Sequence, residues 1–263
     1  MTLGKKIYQL WKQASHRGYA DGLPVHGTTA EDLDKDHLGE FFLRNHGQSL
    51  DKALEKDGIT IGQMLNKLGL ACEERLNLAG LLMFGRNPQR FRPALVIKAV
   101  SFFGNNPTAG KCRDSEDIGG CIRDLHKGAM SFLARNLYQV QGEKEFNTLA
   151  DIEIPSAVLQ ELVINMLLHR DYFIAEPWRI MIFDDRVELI SPGALPNNLT
   201  VENMRRGVSI IRNPTITSFA TKELPYRGVG IGILRALSKI PDLELESNQQ
   251  ANLFTVRIPR RGE

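Results

Sequence analysis

Residues 161–172 read ELVINMLLHRDY, a helical pattern whose polar residues fall in one line. Glu161, Asn165 and His169 are spaced i, i+4, i+8, so they share one helix face at about 6 Å per step. Around them Val158, Leu162, Val163, Met166, Leu167 and Leu168 are apolar. Buried polar groups must find partners, so such a stripe is either a solvent-facing edge or a surface turned toward a polar ligand. Spacing alone leaves both readings open.

A second stretch, PYRGVGIGILRAL at 225–237, puts Gly228, Gly230 and Gly232 directly before an apolar helical pattern. Bare backbone at a helix start can cradle a phosphate or only turn tightly. A dinucleotide fingerprint fails, because its sixth position is Ile233 and the preceding KELPY is a poor strand. A Walker A loop fails too. GNNPTAGKC at 104–112 is one residue too long and has Cys112 where a Ser or Thr would bind magnesium. Taken alone, the glycines favour a tight turn.

Around these stretches the second half has a clear order. A helix is predicted over 156–169, and WRIMIFDDRVELIS reads as two strands joined at Asp184 and Asp185. An irregular stretch, 192–227, leads to a helix at 231–239, and the strands LELES and LFTVRIP close the chain with NQQAN as their turn. In the last strand Leu253, Thr255 and Arg257 alternate with Phe254, Val256 and Ile258, so one face is buried. Helix, hairpin, loop, helix, hairpin predicts an α+β fold with helices on one face of a mostly antiparallel sheet.

The first half is predicted as a helix at 3–13, a helix entered through Thr28 or Thr29 with Glu31 and Asp32 in its first turn, and short helices at 61–68 and 76–84. A strand at 94–104, nearly continuous in its apolarity and so expected to be buried on both faces, and a helix at 118–137 follow, separated by a Gly- and Pro-rich loop. The polar stretch 142–155 marks a boundary, placed between 148 and 149.

At 263 residues and 42% hydrophobic content the chain can bury a proper core, and its net charge of +2 argues neither for nor against nucleic acid. No stretch approaches the roughly 20 apolar residues of a membrane span, and no signal peptide is evident. Cys72, Cys112 and Cys121 are odd in number and form no CxxC pair, which suits a reducing cytoplasm. Cys112, Cys121 and His126 lack a fourth ligand at metal-site spacing and read as structural. Arg86, Arg90 and Arg92 around Phe91 read as a solvated basic loop.

The helix stripe, a hairpin ending in SPGALP, a long loop, GVGIGI and a terminal FTVRIP strand together resemble the Bergerat-fold (GHKL) ATPases: gyrase, the 90-kDa heat-shock chaperone, histidine kinases and MutL. More narrowly, LAGLLMFGRNPQRF, LVINMLLHRDY, IFDDRVELISPGALP and IRNP are similar to a family of RecG-related transcriptional regulators. Those pair a Schlafen/AlbA-like DNA-binding domain with a divergent Bergerat domain. The resemblance runs from about residue 23 onward. It implies an N-terminal mixed α/β region, 1–148, followed by a Bergerat-type α/β sandwich, 149–263.

The resemblance also implies a site: ATP with Mg2+ between the 156–169 helix and the 228–232 glycine loop, with slow or no hydrolysis. Asn165 would give its amide oxygen to Mg2+, and Glu161 would orient or deprotonate the attacking water. Gly228, Gly230 and Gly232 would let backbone approach the phosphates. His169 and Arg170 lie at the helix end, where a cation suits the dipole; for Arg170 a structural role, capping that end and pairing with Asp171, is favoured. Asp184 and Asp185 read as turn residues, while Arg212 and Asn213 fall in the implied lid without a role.

Two departures matter. Ile190 and Ser191 stand where the family's adenine-binding Asp would be, and the Schlafen/AlbA-like and helix-turn-helix domains of relatives are not found in this sequence, which is then either a fragment or a short version without the DNA reader. DNA would then be reached through a missing or partner domain. A homodimer is a further expected partner, a membrane is not, and no P-loop drives a helicase motor. The alternative is a degenerate scaffold without nucleotide, used for dimerisation or for a protein or DNA partner.

Overall fold

Six strands form one sheet in the computed structural model, which describes residues 19–140, 151–228 and 230–260. The helix expected at 3–13 and most of the boundary stretch lie outside the described residues. In chain order the N-terminal region holds helices α1 (Lys35–His46), α2 (Leu50–Asp57) and α3 (Ile61–Lys67), then a two-residue hairpin, β1 (Ala71–Cys72) and β2 (Arg75–Leu76). Helix α4 (Leu78–Phe84) and the single turn α5 (Pro88–Phe91) follow. Each of the first four helices begins at a side chain that accepts a backbone N–H: Asp34, Ser49, Thr60 and Asn77. Thr29 does cap with Asp32 in a capping box, but over only a three-residue 3-10 turn, Ala30–Asp32. The α-helix behind it waits for Asp34.

Strands β3 (Ile97–Phe102) and β4 (Cys112–Ile118) and helix α6 (Ile122–Asn136) come next. The short pair β5 (Gln139–Val140) and β6 (Asp151–Ile152) follows, and then helix α7 (Ser156–Leu168). Beyond it run β7 (Trp178–Ile182), β8 (Arg186–Pro192), α8 (Val201–Arg205), α9 (Pro214–Glu223), α10 (Gly232–Lys239), β9 (Glu244–Asn248) and β10 (Leu253–Pro259). The sheet order is β4-β3-β7-β8-β10-β9; only β3 and β7 run parallel. The α+β expectation holds. The sheet takes strands from both sides of residue 148.

Three expectations are corrected. Strand β3 is not buried on both faces: Ile97 and Ala99 face the core, while Lys98 between them is exposed and pairs with Asp117. The helix expected from 118 starts at Ile122, because Ile118 ends strand β4, paired with Ile97. That strand, CRDSEDI, is charged along its length and reads as loop, yet an outer strand gains from charges that deter pairing with another chain. The stretch 192–227 is not irregular throughout. It contains α8, which starts in a Thr200–Asn203 capping box, and α9, which starts at Pro214.

The two faces of the sheet differ. Ile97, Ala99, Trp178, Ile180, Ile182, Val187, Leu189, Val256 and Ile258 alternate onto one face and are buried against helices. On the other face Arg257 pairs with Glu188 at 3.3 Å and Glu246 at 2.7 Å, and Arg186 with Glu188 at 2.8 Å. Such half-exposed pairs contribute little each. Their position marks the face that water covers. No helix among the described residues is long and apolar enough to cross a membrane.

Candidate functional site

The stripe on α7 faces neither solvent nor core; it lines a cleft. Glu161, Asn165 and His169 form one wall with Leu162 and Met166 between them, and Leu189, Ser191, Phe254 and Val256 of the sheet form its floor. The facing wall is the chain from Gly193 to Arg212 together with Tyr226, Gly230 and Gly232. Every residue the sequence proposed for the site is therefore on this cleft except Gly228, which stands at the outer end of the glycine turn.

Glu161 and Asn165 bond to each other, Asn165 Nδ2 donating to Glu161 Oε1 at 3.1 Å. That bond uses one of the two amide hydrogens, and the amide oxygen is the atom Asn165 can offer to a cation. Tyr226 stands on the opposite side; burial raises its pKa and the Glu161 charge adds to the rise. Removal from water depresses His169 to about 4, with the Arg212 charge acting in the same direction and a hydrogen bond to the Ile210 backbone opposing it. Its ring is neutral at pH 7. The cation expected at this helix end is not His169.

Arg170 is structural, as expected, but not through Asp171. It is 1% exposed, donates from Nη2 to the Ile174 carbonyl at 2.7 Å, and lies 4.4 Å above the Trp178 ring.

The end of α7 is held by side chains that take up its free carbonyls. Trp178 Nε1 and Ser191 Oγ donate to the Met166 carbonyl at 3.0 and 3.1 Å, and Tyr172 donates to Leu167 at 2.9 Å. Asn213 Nδ2 donates to Leu168 at 2.8 Å and Arg170 at 2.9 Å. Arg212 donates to the carbonyls of Ala194 at 2.7 Å and His169 at 3.5 Å. These two residues, left without a role by the sequence, tie the second wall to the first. The one local signal was IRNP, in which an Asn precedes a helix-starting Pro.

The three glycines serve two purposes. Gly228 and Gly230 have φ of +65° and +76°, the left-handed backbone of a turn. At Gly232 a Cβ would lie 1.5 Å from Glu161 Oε1, so any larger residue must push that carboxylate aside. The carboxylate therefore rests on the first residue of α10.

Ile190 and Ser191 part company on β8. Ile190 pairs with Arg179 and Thr255 on the face away from the cleft, whereas Ser191 pairs with Phe254 and lines the floor. Of the two, only Ser191 faces the cleft. Among the described residues no group of three His, Cys, Asp or Glu could hold a metal, and Cys112 is exposed while Cys121 is buried.

Residues 176–258 match the family described as "Putative ATP-dependent DNA helicase recG C-terminal", and residues 10–94 match a domain of unknown function. The second half thus carries a region similar to a RecG-related, ATPase-like domain. Among solved structures the chain is similar to the DIP2311 protein from Corynebacterium diphtheriae, with a TM-score of 0.63 and 17% identity over 98% of this chain and 50% of that one. At that identity the likeness concerns the fold, and the chain spans about half the length of that protein. No curated protein matches the sequence.

Proposed function

We propose that the chain is a nucleotide-binding regulatory module of a RecG-related, Schlafen/AlbA-associated transcriptional regulator, taking ATP with Mg2+ between α7 and the glycine turn. The observation that carries this reading is the meeting of Glu161 and Asn165 with Gly230 and Gly232 across one cleft. The ATPase-like match over 176–258 supports it. Asn165 would hold Mg2+ through its amide oxygen, a hard donor of the kind this cation takes beside waters and phosphate oxygens. Backbone N–H groups of the turn would meet the phosphates. Glu161, one helical turn from Asn165, would orient the water; His169 is a neutral polar wall; Ser191 meets the base.

Turnover is slow or absent, and the regulatory event is closure of the second wall. The division at 148/149 and the GHKL assignment belong to this reading, as do the cytoplasmic location, a homodimer, and DNA reached through a further domain. The alternative is a degenerate scaffold without nucleotide. It is favoured by the Glu161 carboxylate, which already occupies the anion-attracting start of α10 and would repel a phosphate.

The test is calorimetric titration with a non-hydrolysable ATP analogue, with and without Mg2+. Saturable, Mg2+-dependent binding that Asn165→Ala weakens at least about tenfold is the expected outcome. Glu161→Ala should retain binding and remove any turnover. No heat and no thermal shift at millimolar analogue would discard the nucleotide reading and leave the scaffold.

A further inference from the structure

Helix α9 runs from the second wall of the cleft onto the N-terminal region, where charged side chains hold both of its ends. At its start Asn213 turns its side chain to α7 and makes no cap. The free N–H groups go instead to Asp21, 194 residues earlier than Thr215: Oδ2 accepts from Thr215 N at 2.7 Å and from Ile216 N at 3.0 Å. A carboxylate suits the positive end of a helix. Asp21 is 0% exposed. Its burial raises the pKa, and the two N–H bonds oppose the rise.

The far end is less natural. Glu223 sets a negative charge where the helix dipole disfavours one, so it needs partners. His37 Nε2 lies 2.7 Å from Oε1, Arg44 bonds Oε2, and Arg123 stands 3.9 Å away. Burial alone would raise the Glu223 pKa; the His37 hydrogen bond and the charges of His37, Arg44 and Arg123 outweigh it and hold the carboxyl below its ordinary value. Between the two ends Phe219 packs on Phe41 and Phe84, with ring centroids 5.6 and 5.8 Å apart.

Cys121 Sγ lies 3.9 Å from His37 Nδ1, so Cys, His and Glu stand in the order of a nucleophile relay. The thiol is 3% exposed, and burial with the Asp124 hydrogen bond pushes its pKa up to about 12. It does not ionise near neutral pH and is no nucleophile. The cluster holds a helix.

The chain enters the cleft directly on either side of α9. Arg212 lies just before Pro214, Tyr226 just after Glu223, and both line the cleft, with Gly230 and Gly232 next. Resting on the nucleotide reading above, we propose that Asp21 and Glu223 are positioning residues. By fixing both ends of α9 to the N-terminal region they place the glycine turn and so set affinity for the nucleotide. Docking of the N-terminal region thereby becomes a control on the site.

The test is hydrogen exchange over residues 224–232 of the nucleotide-free chain, with analogue affinity measured in parallel, for Asp21→Ala, Asp21→Asn and Glu223→Gln. Asp21→Ala should speed exchange there by about tenfold, the size of a lost cap, leave α7 unchanged, and weaken the Mg-analogue by a similar factor. Asp21→Asn keeps an acceptor and should do less, while Glu223→Gln should loosen the same amides. If Asp21→Ala does not fold, the other two variants carry the comparison. Unchanged exchange at 224–232, or loosening spread evenly over the sheet, would overturn the proposal. Faster exchange at 224–232 in a protein that binds no analogue would keep the positioning role and discard the nucleotide.

Discussion

The two walls of the cleft are built differently. On α7 and the strands beneath it, Leu162, Leu189 and Val256 are buried to 1%, 1% and 6% exposure, and five side chains take up the free carbonyls at the helix end. On the facing wall α8 buries no residue, and Val208, Ile211 and Ile231 are 47%, 50% and 38% exposed. A segment with so little buried apolar surface opens at low free energy, and loops carried by a firm scaffold are where binding motions reside. The groups that would do chemistry sit on the firm wall. The groups that would close over a ligand sit on the loose one.

The largest effect is expected outside both walls, in the buried packing of the N-terminal region, which sets the scale for a firm part. Gly80, inside α4, would place a Cβ 2.0 Å from the Leu70 carbonyl oxygen and 3.0 Å from its carbon, both backbone atoms that cannot turn aside. Gly80→Ala should destabilise the fold by about 3 kcal/mol, read as a lower denaturation midpoint. A loss under about 1 kcal/mol would show that the packing of α4 gives way as easily as the loose wall.

A smaller effect is expected where the walls meet. His169 has its pKa depressed to about 4 in the fold, against 6.5 for the free side chain. Above pH 6.5 both states are neutral at this residue. As pH falls from about 6.5 toward 4, the unfolded chain takes up a proton that the folded chain does not, and stability is lost. His169→Gln should remove about 2 kcal/mol of that acid sensitivity. His126, also depressed by burial, contributes in the same direction and remains in the variant. Equal pH slopes in the two proteins would mean the His169 ring is open to water.

What the sequence disclosed follows the same division. The stripe of Glu161, Asn165 and His169 and the alternation in β10 are local periodicities, legible because each residue's neighbours fix its face. Strand β4 was illegible because an outer strand carries charges in place of an apolar alternation. The roles of Arg212 and Asn213 were hidden because their partners lie 43 and 45 residues away. Asp21 and Glu223 were hidden for the same reason at longer range. Ile190 and Ser191 were read as a unit, although neighbours on a strand face opposite ways and only pairing with Phe254 shows which meets the cleft.

The sharpest comparison pairs Gly80 with Gly232. Both would place a Cβ far inside contact distance, but at Gly232 the obstruction is the Glu161 side chain: Oε1 at 1.5 Å, Cδ at 2.1 Å and Cγ at 2.7 Å. A side chain at the edge of a cleft can swing away, and Ala is a better helix former than Gly in α10. Gly232→Ala should therefore change stability by less than about 1 kcal/mol. Function should respond differently. The Cβ fills the approach to the turn and displaces Glu161 from Asn165, so analogue affinity should fall by about tenfold while the melting temperature holds. Affinity unchanged in a folded Gly232→Ala protein would mean that the glycine serves only to seat Glu161. The cleft's candidate phosphate position would then lie nearer Gly228 and Gly230, whose left-handed backbone is required by the turn itself.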